Sequence, residues 1–172
     1  LIRGSAANHG GPSSGLTVPN GQAQQLLLRA ALASARVTPD QVDYVEAHGT
    51  GTPLGDPIEL RALGAVMKSD RSSPLWIGSV KSNIGHLEGA AGIAGLIKAI
   101  LCLRHHRIPP HRGVRNPHQL LREIPSLVIP EQPAALRQRA RIAVSSLGLS
   151  GTNVLQIVGP FQPRTLAPRS SG

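Results

Sequence analysis

Twice in this chain a short β-prone run ends in a glycine-containing bend and passes into a helix, and this order limits the accessible folds more than any other feature. In the first unit, VDYVEA at 42–47 alternates as a strand, and the segment VEAHGTGTPLGDPIE at 45–59 packs three glycines, two threonines and two prolines around His48. Asp56 as N-cap, Pro57 at N1 and Glu59 at N3 then predict a helix running to about Met67. In the second, PLWIGSVK at 74–81 reads as a strand, SNIGH as a turn, and Glu88 to Leu103 as an almost wholly apolar helix that should be buried on most sides. Two such units predict a layered α/β domain, its sheet covered by helices on both faces and its chemistry carried on loops at strand ends.

The flanking segments fit that plan. GQAQQLLLRAALASAR, from Gly21 to Arg36, predicts an amphipathic helix with Ala23, Leu26, Leu27, Ala30 and Ala31 on one face. Six prolines between 104 and 140 predict an extended connection with one short strand, SLVI at 126–129. Residues 141–159 read as two strands around the turn GLSG, and PFQPRTLAPRSSG as a linker or tail, so the expected division is one domain over 1–159 and a tail over 160–172. A chain of 172 residues supports one compact domain. Its apolar, strand-like opening, without methionine, reads as the interior of a longer protein.

Charge and cysteine usage narrow the partners. Eighteen basic residues against nine acidic ones give +9, and between Arg104 and Arg141 eight arginines face only Glu123 and Glu131. That asymmetry suits an acidic partner. The region lacks the aromatic platforms of single-strand binders, so nucleic acid is not expected. One cysteine, Cys102, sits between leucines in the apolar helix and reads as a core thiol; a single cysteine fits a reducing, cytoplasmic setting. The longest apolar stretch, GAAGIAGLIKAILCL, has 15 residues and contains Lys98, too short to span a bilayer. His105, His106, His111 and His118 have no metal-ligand spacing, and no metal is expected.

His48 and His86 each follow a strand, so neighbouring units would bring both rings to one sheet edge. His86 just before a helix would be kept a neutral donor able to polarise a carbonyl. A Lys81–Glu59 pair could hold the protonation state of such a site, with capping the competing role for Glu59. Thr50 and Thr52 place hydroxyls either side of Gly51, suited to an amide-bearing ligand arm or simply to a tight turn. GTGTPLGD lacks the Gly-Lys-Ser/Thr ending of a phosphate loop, and in GLSGT the glycine directly after Ser150 breaks the nucleophile-elbow pattern.

Together, VDYVEAHGTGTPLGDPIEL, GSVKSNIGHLEGAAGIAGLIKAIL, VSSLGLSGTN and, near the start, SSGLTVPNGQAQ resemble the C-terminal half of a β-ketoacyl synthase, the ketosynthase domain of modular polyketide synthases. The resemblance implies a thiolase-like fold, of which this chain is the second of two similar halves. It implies decarboxylative Claisen condensation of an acyl thioester with a malonyl-type acyl carrier protein. His48 and His86 would stabilise the enolate, Lys81 with Glu59 would support them, and Thr50 and Thr52 would bind the phosphopantetheine arm. Leu149 and Gly151, in the GLSG turn, would be substrate-binding, the turn's backbone N–H groups at Leu149 matching an oxyanion hole. No cofactor is expected to bind directly, substrates being carried on phosphopantetheine. The implied partners are the acyl carrier protein, the N-terminal half of the ketosynthase and a second copy in a homodimer.

The chain departs from the family in two ways. The family's nucleophilic cysteine lies in the N-terminal half, and Cys102 does not match it, so the isolated chain is expected to be inactive. Where the family commonly reads Phe-Gly-Phe-Gly-Gly-Thr-Asn, this chain has LGLSGTN, with Leu149 at a position that often gates the acyl pocket; Val154-Leu155 replaces the usual Ala-His. A non-catalytic remnant that dimerises or docks a carrier protein is the alternative from another functional class.

Overall fold

The computed structural model describes residues 1–11, 18–67, 71, 73–114 and 117–160. The predicted tail therefore lies, apart from Pro160, outside the described residues, as does much of the SSGLTVPN segment.

The elements in chain order are β1 (Ile2–His9), α1 (Gly21–Ala35), β2 (Tyr44–Glu46), α2 (Gly55–Met67), β3 (Leu75–Gly78), α3 (Lys81–Ile84), α4 (Ala91–His105), β4 (Arg107–Ile108), α5 (Leu120–Glu123), β5 (Leu127–Val128), β6 (Ala134–Ala135), β7 (Ile142–Leu147) and β8 (Thr152–Val158). Six strands form a mixed sheet in the order β1-β8-β7-β2-β3-β5. β2 lies parallel between β7 and β3, while the β7–β8 and β1–β8 pairs are antiparallel. Both expected strand–turn–helix units are present, and their strands are immediate neighbours, with Glu46 opposite Gly78. The two bends after β2 and β3 consequently leave the sheet side by side.

Each sheet face carries its own core. Leu27, Leu28, Ala31 and Leu32 of α1 and Leu63, Val66 and Met67 of α2 pack with Val45, Leu75, Ala143 and Leu155 on one face. Ala99 and Cys102 of α4 pack with Tyr44, Ile142 and Val144 on the other. Alternation along β2 produces this split, because successive side chains point to opposite faces. Burial pushes the Cys102 thiol up to about 11, consistent with an unreactive core residue.

Several local expectations need correction. The buried stripe of α1 runs through Leu28 and Leu32, while Leu26 and Ala30 are exposed. Asn20 caps this helix, accepting the N–H groups of Gln22 and Ala23. Asp56 is not the N-cap of α2, which already includes Gly55; Thr52 Oγ1 accepts the Gly55 N–H at 3.0 Å, and Asp56 Oδ1 instead takes the N–H of Gly51 at 3.1 Å. Lys81 does not end the second strand but opens α3. The 104–140 connection contains α5 and a two-stranded β4–β6 ribbon as well as the expected strand near 127.

The largest correction concerns α4. Its buried line is Ala91, Gly95, Ala99 and Cys102, while Ile93, Ile97, Ile100 and Leu101 are each about half exposed. Small residues face the sheet and large ones face outward, the reverse of what a helix covered only by this sheet would need. Hydrophobic content fixed the helix, but only tertiary packing shows which of its sides is occupied.

Candidate active site

The bend after β2 is held by backbone conformation and one carboxylate. Gly49 and Gly51 adopt left-handed φ values of 46° and 73°, and a Cβ at Gly49 would stand 2.9 Å from Ser79 Cβ, so that position needs glycine on two counts. Glu59, on the first turns of α2, reaches back to this bend: Oε1 accepts the His48 N–H at 2.8 Å and Oε2 the Gly49 N–H at 2.9 Å. Burial raises the Glu59 pKa, opposed by those two N–H groups and by a hydrogen bond from Ser145 on β7. Neither the capping box nor a direct Lys81 partnership is formed. Among the described residues the ion pairs are Lys98–Glu46 and Arg137–Asp43, and Glu59 acts on Lys81 only through its field.

His48 and His86 meet, their ring centroids 5.5 Å apart and their planes at 81°. His48 Nδ1 accepts the Leu147 N–H at 3.3 Å, and His86 Nδ1 accepts the Glu88 N–H at 2.9 Å. A nitrogen that accepts carries no proton, so each neutral ring is assigned its proton on Nε2. The arrangement offers two N–H donors from two adjacent loops. Glu88 has a left-handed φ of 49°, a conformation costly for a non-glycine residue, and its N–H is the one aimed at His86.

Desolvation, then the nearby charge of Lys81, then His86 lower the His48 pKa to about 4. The folded state thus binds fewer protons than the unfolded chain between about 4 and 6.5, so this group's contribution to stability is complete above 6.5 and is lost as pH falls through 4. An NMR titration should find the His48 ring shifts flat from pH 9 to pH 5. A midpoint near 6.5 would contradict the buried neutral donor.

Lys81 is half-buried and has its pKa lowered by desolvation, with Glu59, Glu46 and Asp56 opposing. It shares a cavity of about 730 Å3 with Thr50, Thr52, Ser79, His111 and Arg112. The Thr50 and Thr52 hydroxyls lie 3.2 Å apart on that wall, and Thr52 also serves the Gly55 N–H, so one hydroxyl has both a turn role and a cavity-facing position. The GLSG turn projects outward, with Leu149 78% exposed. Within it the Gly151 N–H is spent on the Gly148 carbonyl at 2.9 Å, which removes it as a donor to a ligand, whereas the Leu149 N–H has no partner among the described residues. Gly151, at φ 92°, lies under the His9 ring, where a Cβ would come within 2.8 Å.

Sequence reasoning missed a third group beneath the site. Lys98 of α4 pairs with buried Glu46 of β2 at 2.8 Å, and Tyr44 donates its hydroxyl to the same carboxylate at 2.5 Å. The available signals were a lone lysine inside an apolar helix and an acidic residue inside a strand covered on both faces. His105, His106 and His118 do not join the histidine pair; His111 and His118 line the cavity, whose described lining includes neither His48 nor His86, and His111 Nδ1 accepts the Ser79 N–H at 3.2 Å. Among the described residues no three His, Cys, Asp or Glu side chains gather to hold a metal ion, and no helix is long and apolar enough to cross a membrane.

Comparison with known proteins places these features in context. The family described as "Beta-ketoacyl synthase, C-terminal domain" matches residues 1–115. The chain is 54% identical over 165 residues to the spectinabilin polyketide synthase system protein NorB of Streptomyces orinoci, covering 89% of this chain and 7% of that protein. It is 51% identical over 164 residues to the polyketide synthase GfsE of Streptomyces halstedii, covering 92% and 4%. The ketosynthase from module 6 of the bacillaene synthase of Bacillus subtilis 168 superposes with a TM-score of 0.88 at 38% identity, covering 94% of this chain and 30% of that one. The chain therefore spans under a tenth of these curated relatives and about a third of that solved ketosynthase.

Proposed function

Since this chain belongs to the β-ketoacyl synthases as their C-terminal domain, with the thiolase-like α/β fold of polyketide ketosynthases, we propose that it supplies the enolate-stabilising half of a condensing active site. The reaction is decarboxylative Claisen condensation in chain elongation. An acyl group on a cysteine of the N-terminal half is attacked by the carbanion left when a malonyl-type thioester, held on an acyl carrier protein, loses carbon dioxide. The observation that carries this reading is the His48–His86 pair, in which both Nδ1 atoms accept backbone N–H groups and both Nε2 atoms are left as donors. Charge that develops on a thioester oxygen is stabilised most by donors already in place.

The other assignments follow from position. Thr50 and Thr52, on the cavity wall, contact the phosphopantetheine arm. The free Leu149 N–H serves the oxyanion. Burial, and after it the charge of Lys81, keeps His48 neutral, and Glu59 sets the bend on which His48 rides. The exposed isoleucines of α4 are the face that the N-terminal half covers, which also explains why small residues suffice against this sheet. Alone, without that half and its cysteine, the chain does not condense substrates. The assembled enzyme works as a homodimer in the cytoplasm. A scaffold that only docks carriers is not favoured, because docking does not require two rings locked in one tautomer.

The test is to load the complete ketosynthase carrying this chain with an acyl thioester and supply malonyl-carrier protein. Carbon dioxide release coupled to a β-ketoacyl-carrier product is the expected result. Stable carrier binding with neither decarboxylation nor product would instead identify a scaffold.

A further inference from the structure

Beneath the histidine pair one buried carboxylate joins three elements. Glu46, 2% exposed, accepts the Lys98 ammonium and the Tyr44 hydroxyl on Oε2, and on Oε1 it accepts the N–H of Val80 at 2.5 Å. Lys98 also donates to the Tyr44 oxygen at 2.8 Å. Helix α4 makes room for the carboxylate stem: a Cβ on Gly95 would lie 3.1 Å from Glu46 Cγ. Val80 immediately precedes Lys81, and its own side chain cannot cap α3, the short helix that leads through Gly85 to His86. We propose that Glu46, neutralised by Lys98, is a positioning residue of this active site, gripping the Val80 N–H so that Lys81 and the His86 turn are held against His48.

Two physical considerations favour this over a merely structural ion pair. A buried pair of charges contributes little to stability compared with apolar residues of similar shape, so stability alone gives weak reason for its presence. In addition, the N–H that it satisfies belongs to the entry of the catalytic turn, where an error of an ångström is expensive in rate. Glu46 also acts on Lys81 through its charge, a second link to the same turn.

The inference rests on the condensing function proposed above and is tested in the complete ketosynthase with two double variants. Glu46→Leu/Lys98→Met removes both charges and leaves Val80 nothing to donate to; Glu46→Gln/Lys98→Met removes both charges but keeps an amide oxygen there. The first is expected to lower kcat for malonyl-carrier decarboxylation about thirtyfold with KM nearly unchanged, and the second to recover most of that loss. Hydrogen–deuterium exchange at residues 80–86 should rise in the first only, a readout that remains decisive where turnover is too low to measure. Equal turnover and equal exchange in the two doubles would overturn the proposal. If His48→Ala kept parental decarboxylation, the function it rests on would fail; if His48→Ala abolished decarboxylation while the two doubles matched, only the positioning role would fail.

Discussion

His48→Ala is expected to lower malonyl-carrier decarboxylation by roughly 10²–10³, and His86→Ala by a similar factor, because each removes one preorganised N–H donor from the developing oxyanion. The double variant should cost less than the product of the two, since both donors serve one oxygen and the second loss falls on an already weakened site. The two substitutions differ in their structural cost. His86 is exposed, so water can take over the Glu88 N–H that it accepts, and its removal should leave the melting temperature nearly unchanged. His48 also accepts the Leu147 N–H, so its loss should loosen the entry to the GLSG turn and lower the melting temperature slightly. Parental decarboxylation in both variants, measured as carbon dioxide release per folded enzyme, would remove the chemical role of the pair.

Glu59→Ala carries the second large effect, on stability and turnover together. It orphans the His48 and Gly49 N–H groups and the Ser145 hydroxyl in a buried place, a loss of about 3 kcal/mol at the usual cost of roughly 1–3 for each unsatisfied group, partly offset by relief of the buried carboxyl. Turnover should fall further, by about 10²-fold, because the bend that aims His48 is no longer fixed. The sign of the pH dependence is also determined. Burial raises the folded pKa of Glu59, so its contribution to stability is complete below its ordinary range near 4.5 and is lost as pH rises through the folded value. Glu59→Gln should flatten that part of the stability profile while keeping one acceptor. Denaturant melts between pH 4 and 8 check this, and a variant as stable and active as the parent would show that the bend holds itself.

Contrasting outcomes at neighbouring residues show how far the sequence could be read. His48 and His86 were legible because each lies in the connection that leaves a strand, two residues past β2 and eight past β3, and adjacency of β2 and β3 then brought them together. Glu59 was legible as a helix-start residue, but its partners lie ten and eleven residues back across a bend, and only the folded path of 48–55 points its carboxylate there. On α1 the periodicity points to Leu26 and Ala30 while the fold buries Leu28 and Leu32, since Leu26 and Leu28 are equally apolar and only the neighbouring sheet decides between them. Lys98 enters the sequence only as the charge inside an apolar helix; its partner is Glu46, 52 residues earlier by their numbers.

By itself the sequence determined the local order of strands, bends and helices, the family to which they belong, and the residue types at the site, because propensity, glycine placement and periodicity act over a few neighbours. Tertiary structure decided which ring nitrogen carries each proton, which carboxylate braces which loop, and which face of α4 is left uncovered. Those outcomes depend on groups brought into contact from distant parts of the chain, and a hydrogen bond or a buried charge has no energy to assign until its partner and its burial exist.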